Sequence, residues 1–254
     1  MADERVRRQI AIMAARLMYS REESEYFTAK RKAARQMGVD SRFRPKDLPS
    51  NAEIREHVQA LADIYEGEKR QENLRDMRLA ALRLMRVLAA FHPRLIGSTL
   101  TGHVRRGSDI DLHVFTNSVS AVTSLLSDVG CELSVERKRV RKQGEERVFT
   151  HVHLTDRFEF ELTLYETDKI NYGFKSSITG RLIERASIAE LELLIGREHP
   201  EVDLDADARA AEEANEGVDE EASEASRFET FRALLLALEK VKQNPAYHPE
   251  GDAL

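Results

Sequence analysis

Two aspartates, Asp109 and Asp111, stand one residue apart inside residues 95–115, LIGSTLTGHVRRGSDIDLHVF. The run from Asp109 to Phe115 reads as a strand. Side chains alternate faces along a strand, so both carboxylates point one way while Ile110 and Leu112 point into a core. Two carboxylates held side by side repel, and the arrangement is costly unless a cation lies between them. Oxygen donors alone favour a hard ion, Mg²⁺ or Mn²⁺. By itself an Asp-x-Asp strand is surface decoration or the flank of a turn more often than a metal site. Gly97-Ser98, about a dozen residues upstream, changes its meaning. A glycine lets backbone N–H groups approach a phosphate chain, and the serine hydroxyl adds a donor. The intervening residues have room for one short helix and a return. Arg105 and Arg106 lie in that return, where each either reaches phosphate or is a solvated loop cation. His113 shares the strand face of the two aspartates and borders the same place, as a packing group more readily than as an acid or base.

These residues need a scaffold, and hydropathy patterning supplies one. Residues 4–37 read as a helix, with Val6, Ile10, Met13 and Leu17 at helical spacing and Gly38 closing it. Residues 39–50 hold two prolines and form a connector. Ser50 with Glu53 makes a capping-box pattern and starts a helix through Tyr65, with Ile54, Val58 and Leu61 inward. Another helix is expected from Glu68 to Phe91 on Leu74, Met77, Ala81, Leu84 and Leu88, and Pro93 stops it. Residues 94–96 then form a short strand ahead of Gly97. A helix capped by Asn117 or Ser118 ends near Gly130. Strands follow at about 132–142, 147–154 and 158–166, with turns at Gln143-Gly144 and Thr155-Asp156. On the last strand Glu159 and Glu161 share one face, and Phe158, Phe160, Leu162 and Leu164 the other. Residues 187–196 form a helix capped by Ser187. The expected organisation is an N-terminal helical region, 1–91; an α+β core, 92–199; an acidic linker, 200–226; and a C-terminal segment, 227–254. That segment carries an amphipathic helix at 227–243 on Phe228, Phe231, Leu235 and Leu238.

Composition narrows the function classes. The chain has 254 residues and a single cysteine, Cys131, which excludes a disulfide framework and a Cys-rich zinc site. His151 and His153 alternate on one strand face, but with no cysteine nearby a zinc centre there is not expected. No apolar stretch is long enough to span a bilayer and no secretory signal is evident, so a cytoplasmic protein with no membrane partner is the expectation. The net charge of −6 argues weakly against a bulk nucleic-acid coat. It hides asymmetry: residues 1–50 carry twelve Lys and Arg against seven Asp and Glu, while residues 201–226 carry eleven acids and one Arg. Lys30-Arg31-Lys32 and Arg137-Lys138-Arg139 are local positive spots, either solvated faces or a phosphate-tracking surface.

A hydrophobic residue, Gly97-Ser98, a spacer of about ten residues and then Ser108-Asp109-Ile110-Asp111-Leu112 resembles the signature of the DNA polymerase β-like nucleotidyltransferases. The resemblance implies a mixed sheet with flanking helices, here preceded by the helical region. It also implies two Mg²⁺ ions, with Mn²⁺ as a substitute, and transfer of a nucleotidyl group from a nucleoside triphosphate to a hydroxyl. It implies a third carboxylate on a later strand. Glu161 is the favoured residue and Glu159 the alternative; the superfamily usually has Asp there. In that reading Asp109, Asp111 and Glu161 are the catalytic and metal-holding residues. Gly97, Ser98, Arg105, Arg106, Ser108 and Lys175 are the nucleotide contacts, with Ser176 beside Lys175. ATP is the expected donor. The acceptor is open among RNA, a small molecule and a protein hydroxyl, the positive spots favouring RNA slightly.

The C-terminal NPAYHPEGDAL resembles the opening of the His-Asp metal domain that follows the transferase domain in some bacterial tRNA CCA-adding enzymes. It ends before any metal-ligand helix, so His248 is not assigned as a ligand. The catalytic signal is not at the N-terminus and no Arg-Arg-Asp-Phe-type stretch follows it, which separates this chain from those enzymes. The helices carrying Ala29–Ala34 (AKRKAA) look more like an uncharacterised bacterial group with a transferase-like core. Two competing readings stand beside catalysis. One is a catalytically silent, nucleotide-sensing domain coupled to a His-Asp domain, which the retained Asp109, Asp111 and later Glu argue against. The other is a helical interaction protein that uses the sheet only as a scaffold.

Overall fold

The computed structural model describes residues 2–39, 47–142, 145–176 and 178–205. The expected Gln143-Gly144 turn, most of the acidic linker, the 227–243 helix and the His-Asp-like C-terminal end lie outside the described residues.

The chain opens with α1 (Ala2–Tyr19) and α2 (Tyr26–Gln36), so the single helix expected over 4–37 is two. The break falls in Ser20-Arg21-Glu22-Glu23-Ser24-Glu25, which has no apolar residue to continue the buried stripe. Arg21 takes a left-handed conformation, φ 61°, and the Glu23 N–H turns back to the Leu17 carbonyl at 3.1 Å. The two helices fold together, and Ile10, Ala14, Ala29 and Ala33 are sealed against Ile54 and Val58 of the next helix. Small alanines on both sides let these backbones approach closely.

That next helix, α3 (Asn51–Val87), starts at the expected capping box, with Ser50 and Glu53 bonded reciprocally. Gly67 interrupts it at φ 51°, ψ −131°, close to where two separate helices were expected. The first half closes the α1–α2 cluster, and the second half (Leu74, Met77, Ala81, Met85, Leu88) packs on the sheet. One helix thus joins the N-terminal helices to the α+β core.

The core is α+β: a five-stranded mixed sheet with flanking helices. Its strands are β1 (Arg94–Leu95), β2 (Ile110–Phe115), β3 (Leu133–Lys142), β4 (Glu145–Thr155) and β5 (Glu159–Tyr165), in the order β1-β2-β5-β4-β3. β2 and β5 are parallel neighbours and every other pairing is antiparallel. Parallel strands require a crossover. It is made here by α5 (Val119–Asp128) and the β3–β4 hairpin. Between β1 and β2 lies the short helix α4 (Gly97–Thr101). The last element, α6 (Ile188–Glu198), carries a second capping box, Ser187 with Glu190.

The sheet has two unlike faces. Ile110, Leu112, Val114, Phe160, Leu162, Leu164, Val152 and Leu154 are buried under α3, α5 and α6. The residues between them make the other face, which is polar around Asp111, Glu161, Thr163, His151 and His153. Leu204 packs on the core and its carbonyl accepts from Arg86 Nη1 at 2.7 Å, so the acidic segment begins docked to α3. Among the described residues no helix is long and apolar enough to cross a membrane.

Candidate active site

The parallel β2–β5 pairing sets the register that matters. Asp111 lies directly opposite Glu161, and Ile110 opposite Phe160. In a parallel pair, opposed residues project from the same face. Asp111 and Glu161 therefore stand side by side on the polar face, with Asp109 just before the start of β2. Asp109 is exposed and Asp111 half-buried. Burial pushes the Asp111 carboxyl up to about 7, and the charges of Glu161 and Asp109 push the same way. Burial also raises Asp109, with Glu159 and Glu161 adding to the shift and Arg21 and Arg105 opposing it. No hydrogen bond or ion pair to another described residue relieves either aspartate side chain.

Glu161 has a partner. His151, one strand further along the sheet, holds its Oε1 through Nδ1 at 2.5 Å, and this contact brings the Glu161 carboxyl below its ordinary range. Within the cluster Asp111 is thus the carboxyl pushed up and Glu161 the one brought down. Glu159 is exposed and accepts from the Thr155 hydroxyl at 2.9 Å, on the side of the sheet end nearest Asp109. The register separates the two glutamates that sequence left open: Glu161 stands beside Asp111, and Glu159 is one step outward.

Gly97 closes the cluster from above. Its φ is 70°, and a Cβ built on it would overlap Oδ2 of Asp111 and stand 3.2 Å from Cγ. Only glycine lets the α4 backbone lie against that carboxylate. The loop is pinned there by Ile96 N–H on the Asp111 carbonyl, 3.0 Å, and by Thr101 Oγ1 on the Gly97 carbonyl, 3.1 Å. Arg78, buried on α3 at 3% exposure, donates to the carbonyls of Thr99 and Leu100 and pairs with Glu198. It ties α4 to two core helices. Ser98 follows Gly97 and is half-buried.

The other expected contacts divide. Ser108 is a loop pin: its Oγ accepts from the Arg105 N–H at 3.0 Å, and its own N–H returns to the Arg105 carbonyl at 2.9 Å. The Arg105 side chain is half-buried, and its Nη1 has no hydrogen-bond partner. Burial lowers its pKa, as does the nearby Arg21 charge. Arg106 is exposed, and its backbone N–H meets Glu66 Oε1 at 3.0 Å. Lys175 is exposed on a separate loop, bridged to Leu182, with Ser176 closing the turn that follows. His113 is 3% exposed and wedged edge-on against Tyr165 and Phe174, so it is a packing group; burial lowers its pKa to about 4.

Sequence reasoning missed a cleft of about 750 Å³ beside Asp109. Its walls come from Arg21 of the α1–α2 turn, Tyr65 and Lys69 on either side of the α3 kink, Arg106, and Glu159. Arg21 touches Gly107, where a Cβ would meet its guanidinium carbon at 2.8 Å. No periodicity marks Arg21, because its role depends on a helix break and on a loop distant in sequence.

Oxygen donors alone, with unrelieved negative charge and one carboxyl raised to about 7, suit a hard divalent cation. Among the described residues no three acidic, His or Cys side chains are grouped closely enough to form a finished metal centre. Asp111 opposite Glu161, with Asp109 just before the strand, offers the oxygen donors that such an ion takes, Glu161 being also tied to His151. No family model, curated protein or solved structure matches this chain.

Proposed function

We propose that this chain is a Mg²⁺-dependent nucleotidyltransferase of the DNA polymerase β-like kind, moving a nucleoside monophosphate from a nucleoside triphosphate to a hydroxyl, with ATP the first donor to test. The observation that carries the reading is the conjunction at Asp111: Glu161 opposite it, Asp109 beside it, and a glycine backbone pressed on its carboxylate. The reaction joins the acceptor oxygen to the α-phosphorus and breaks the bond to pyrophosphate, and the acceptor proton leaves to a carboxylate or water. A divalent ion bound at these carboxylates neutralises triphosphate charge and lowers the pKa of the acceptor hydroxyl. Asp109 and Asp111 are the residues to hold it, with Glu161 as the third carboxylate. Gly97 and Ser98 offer the backbone N–H groups and hydroxyl that phosphate oxygens require. His151 keeps Glu161 ionised and fixed in orientation. The rate enhancement then comes from positioning and charge neutralisation.

One observation favours the second reading, a nucleotide-sensing domain without turnover: Glu161 is already engaged by His151, and no finished metal centre is present among the described residues. The two are separated by incubating the full chain with Mg²⁺, α-labelled nucleoside triphosphates and total RNA or lysate. Label transfer with pyrophosphate release, lost in Asp109→Ala and Asp111→Ala, is the expected result. Metal-dependent triphosphate binding without transfer supports the sensor instead. Neither binding nor transfer overturns both.

A further inference from the structure

We propose that the cleft beside Asp109 is the acceptor site, and that the acceptor it takes is the end of a single-stranded nucleic acid; this rests on the transferase reading above. The carboxylates are approached from two directions. Gly97 lies against Asp111, and neither it nor Ser98 lines the cleft. The cleft opens on the other side, at Asp109 and Glu159. A triphosphate on the Gly97 side and an acceptor hydroxyl entering through the cleft meet at the carboxylates, as an in-line displacement requires.

The chemistry of the cleft wall selects the acceptor. Arg70 and Arg157 are engaged, Arg70 by the Gly102 and Val104 carbonyls and Arg157 by Asp76. Arg21, Lys69 and Arg106 are exposed cations, and no hydrogen bond or ion pair to another described residue takes up their side-chain charge. They come from three different elements and converge on one cavity. Tyr65 stands at the same wall, 70% exposed, with its ring 5.8 Å from that of Tyr19. Converging cations beside an exposed tyrosine are what a phosphodiester chain with unstacked bases needs. A small neutral acceptor would leave the cations unused. Arg21 and Gly107, both at positive φ, line the cleft, and Gly67 kinks α3 between the wall residues Glu66 and Lys69. In the positive spots apparent in sequence, the three lysines are engaged elsewhere. Lys30 donates to the Pro49 carbonyl and Asn51, Lys32 pairs with Glu22 and Glu23, and Lys138 pairs with Glu136.

The test is equilibrium binding of short 5′-labelled single-stranded RNA, the matching DNA and a blunt duplex to the full chain, by fluorescence anisotropy, without nucleotide or divalent ion. Three phosphate contacts predict a log K against log salt slope of about −2 for a single strand. Tyr65→Ala and Lys69→Glu, both at exposed positions, are expected to weaken single-strand binding about tenfold each. Circular dichroism and binding of a fluorescent ATP analogue stay unchanged. In the transfer assay the same variants raise the KM for the oligonucleotide and leave that for the triphosphate alone. Equal binding by wild type and variants, preference for the duplex, or transfer to a protein hydroxyl with no oligonucleotide bound overturns the proposal. Loss of triphosphate binding with single-strand binding intact overturns the transferase reading and leaves the cleft as a nucleic-acid site.

Discussion

Replacing Asp111 by Asn keeps the shape of the side chain and removes its charge. The wild-type carboxyl titrates at about 7 in the fold, against 3.8 for an ordinary aspartate. Its folded pKa is raised, so the native state holds the proton more tightly than the unfolded chain. The stability this contributes is present at acid pH and disappears as pH rises toward 7. Between pH 5 and pH 8 the linkage amounts to about 2–3 kcal/mol at most, and partial solvent access reduces it to about 1–2 kcal/mol. Wild-type stability alone does not reveal this, because His113 opposes it. His113 titrates at about 4 when folded, so it weakens the fold as pH falls below the ordinary histidine range. The informative quantity is the difference between Asp111→Asn and wild type, measured by urea unfolding in EDTA at both pH values. The Asn variant is expected to gain about 1–2 kcal/mol relative to wild type on going from pH 5 to pH 8. Millimolar Mg²⁺ at pH 8 stabilises wild type and not the variant. A difference that does not change with pH would falsify the account of Asp111 as an unrelieved carboxylate among carboxylates.

Two further substitutions test the frame around it. Gly97→Ala places a methyl group into the Asp111 carboxylate at a left-handed backbone position; it is expected to cost at least about 1 kcal/mol of stability, seen as a lower urea midpoint, and to abolish transfer even where the protein stays folded. Arg78→Met strands the Thr99 and Leu100 carbonyls and Glu198; a loss of about 3 kcal/mol is expected, with hydrogen exchange fastest in α4.

The strands, the capping boxes and the helix before Pro93 were legible because each depends on near neighbours. The β2 and β5 alternations both mark the faces that become core and polar surface. The break at 20–25 was not legible: helical spacing persists on either side, and only the packing of α1 against α2 shows that the stripe folds back on itself. The position of Asp111 and Asp109 came from the chain alone. That Glu161 rather than Glu159 stands opposite Asp111 needed the β2–β5 register, since both glutamates share one strand face and a shift of two residues would exchange them.

By itself the sequence determined the carboxylate pair, the glycine ahead of it and the alternation that puts both acids on one sheet face, all consequences of local periodicity and backbone freedom. Tertiary structure alone decided the rest. It pressed Gly97 onto Asp111, tied Glu161 to His151, turned Ser108 into a loop pin, buried His113 among aromatics and brought Arg21 to Gly107. Apart from the local Ser108 pin, those contacts join different elements of the chain, and their free energy exists only after the chain has closed the loops between them.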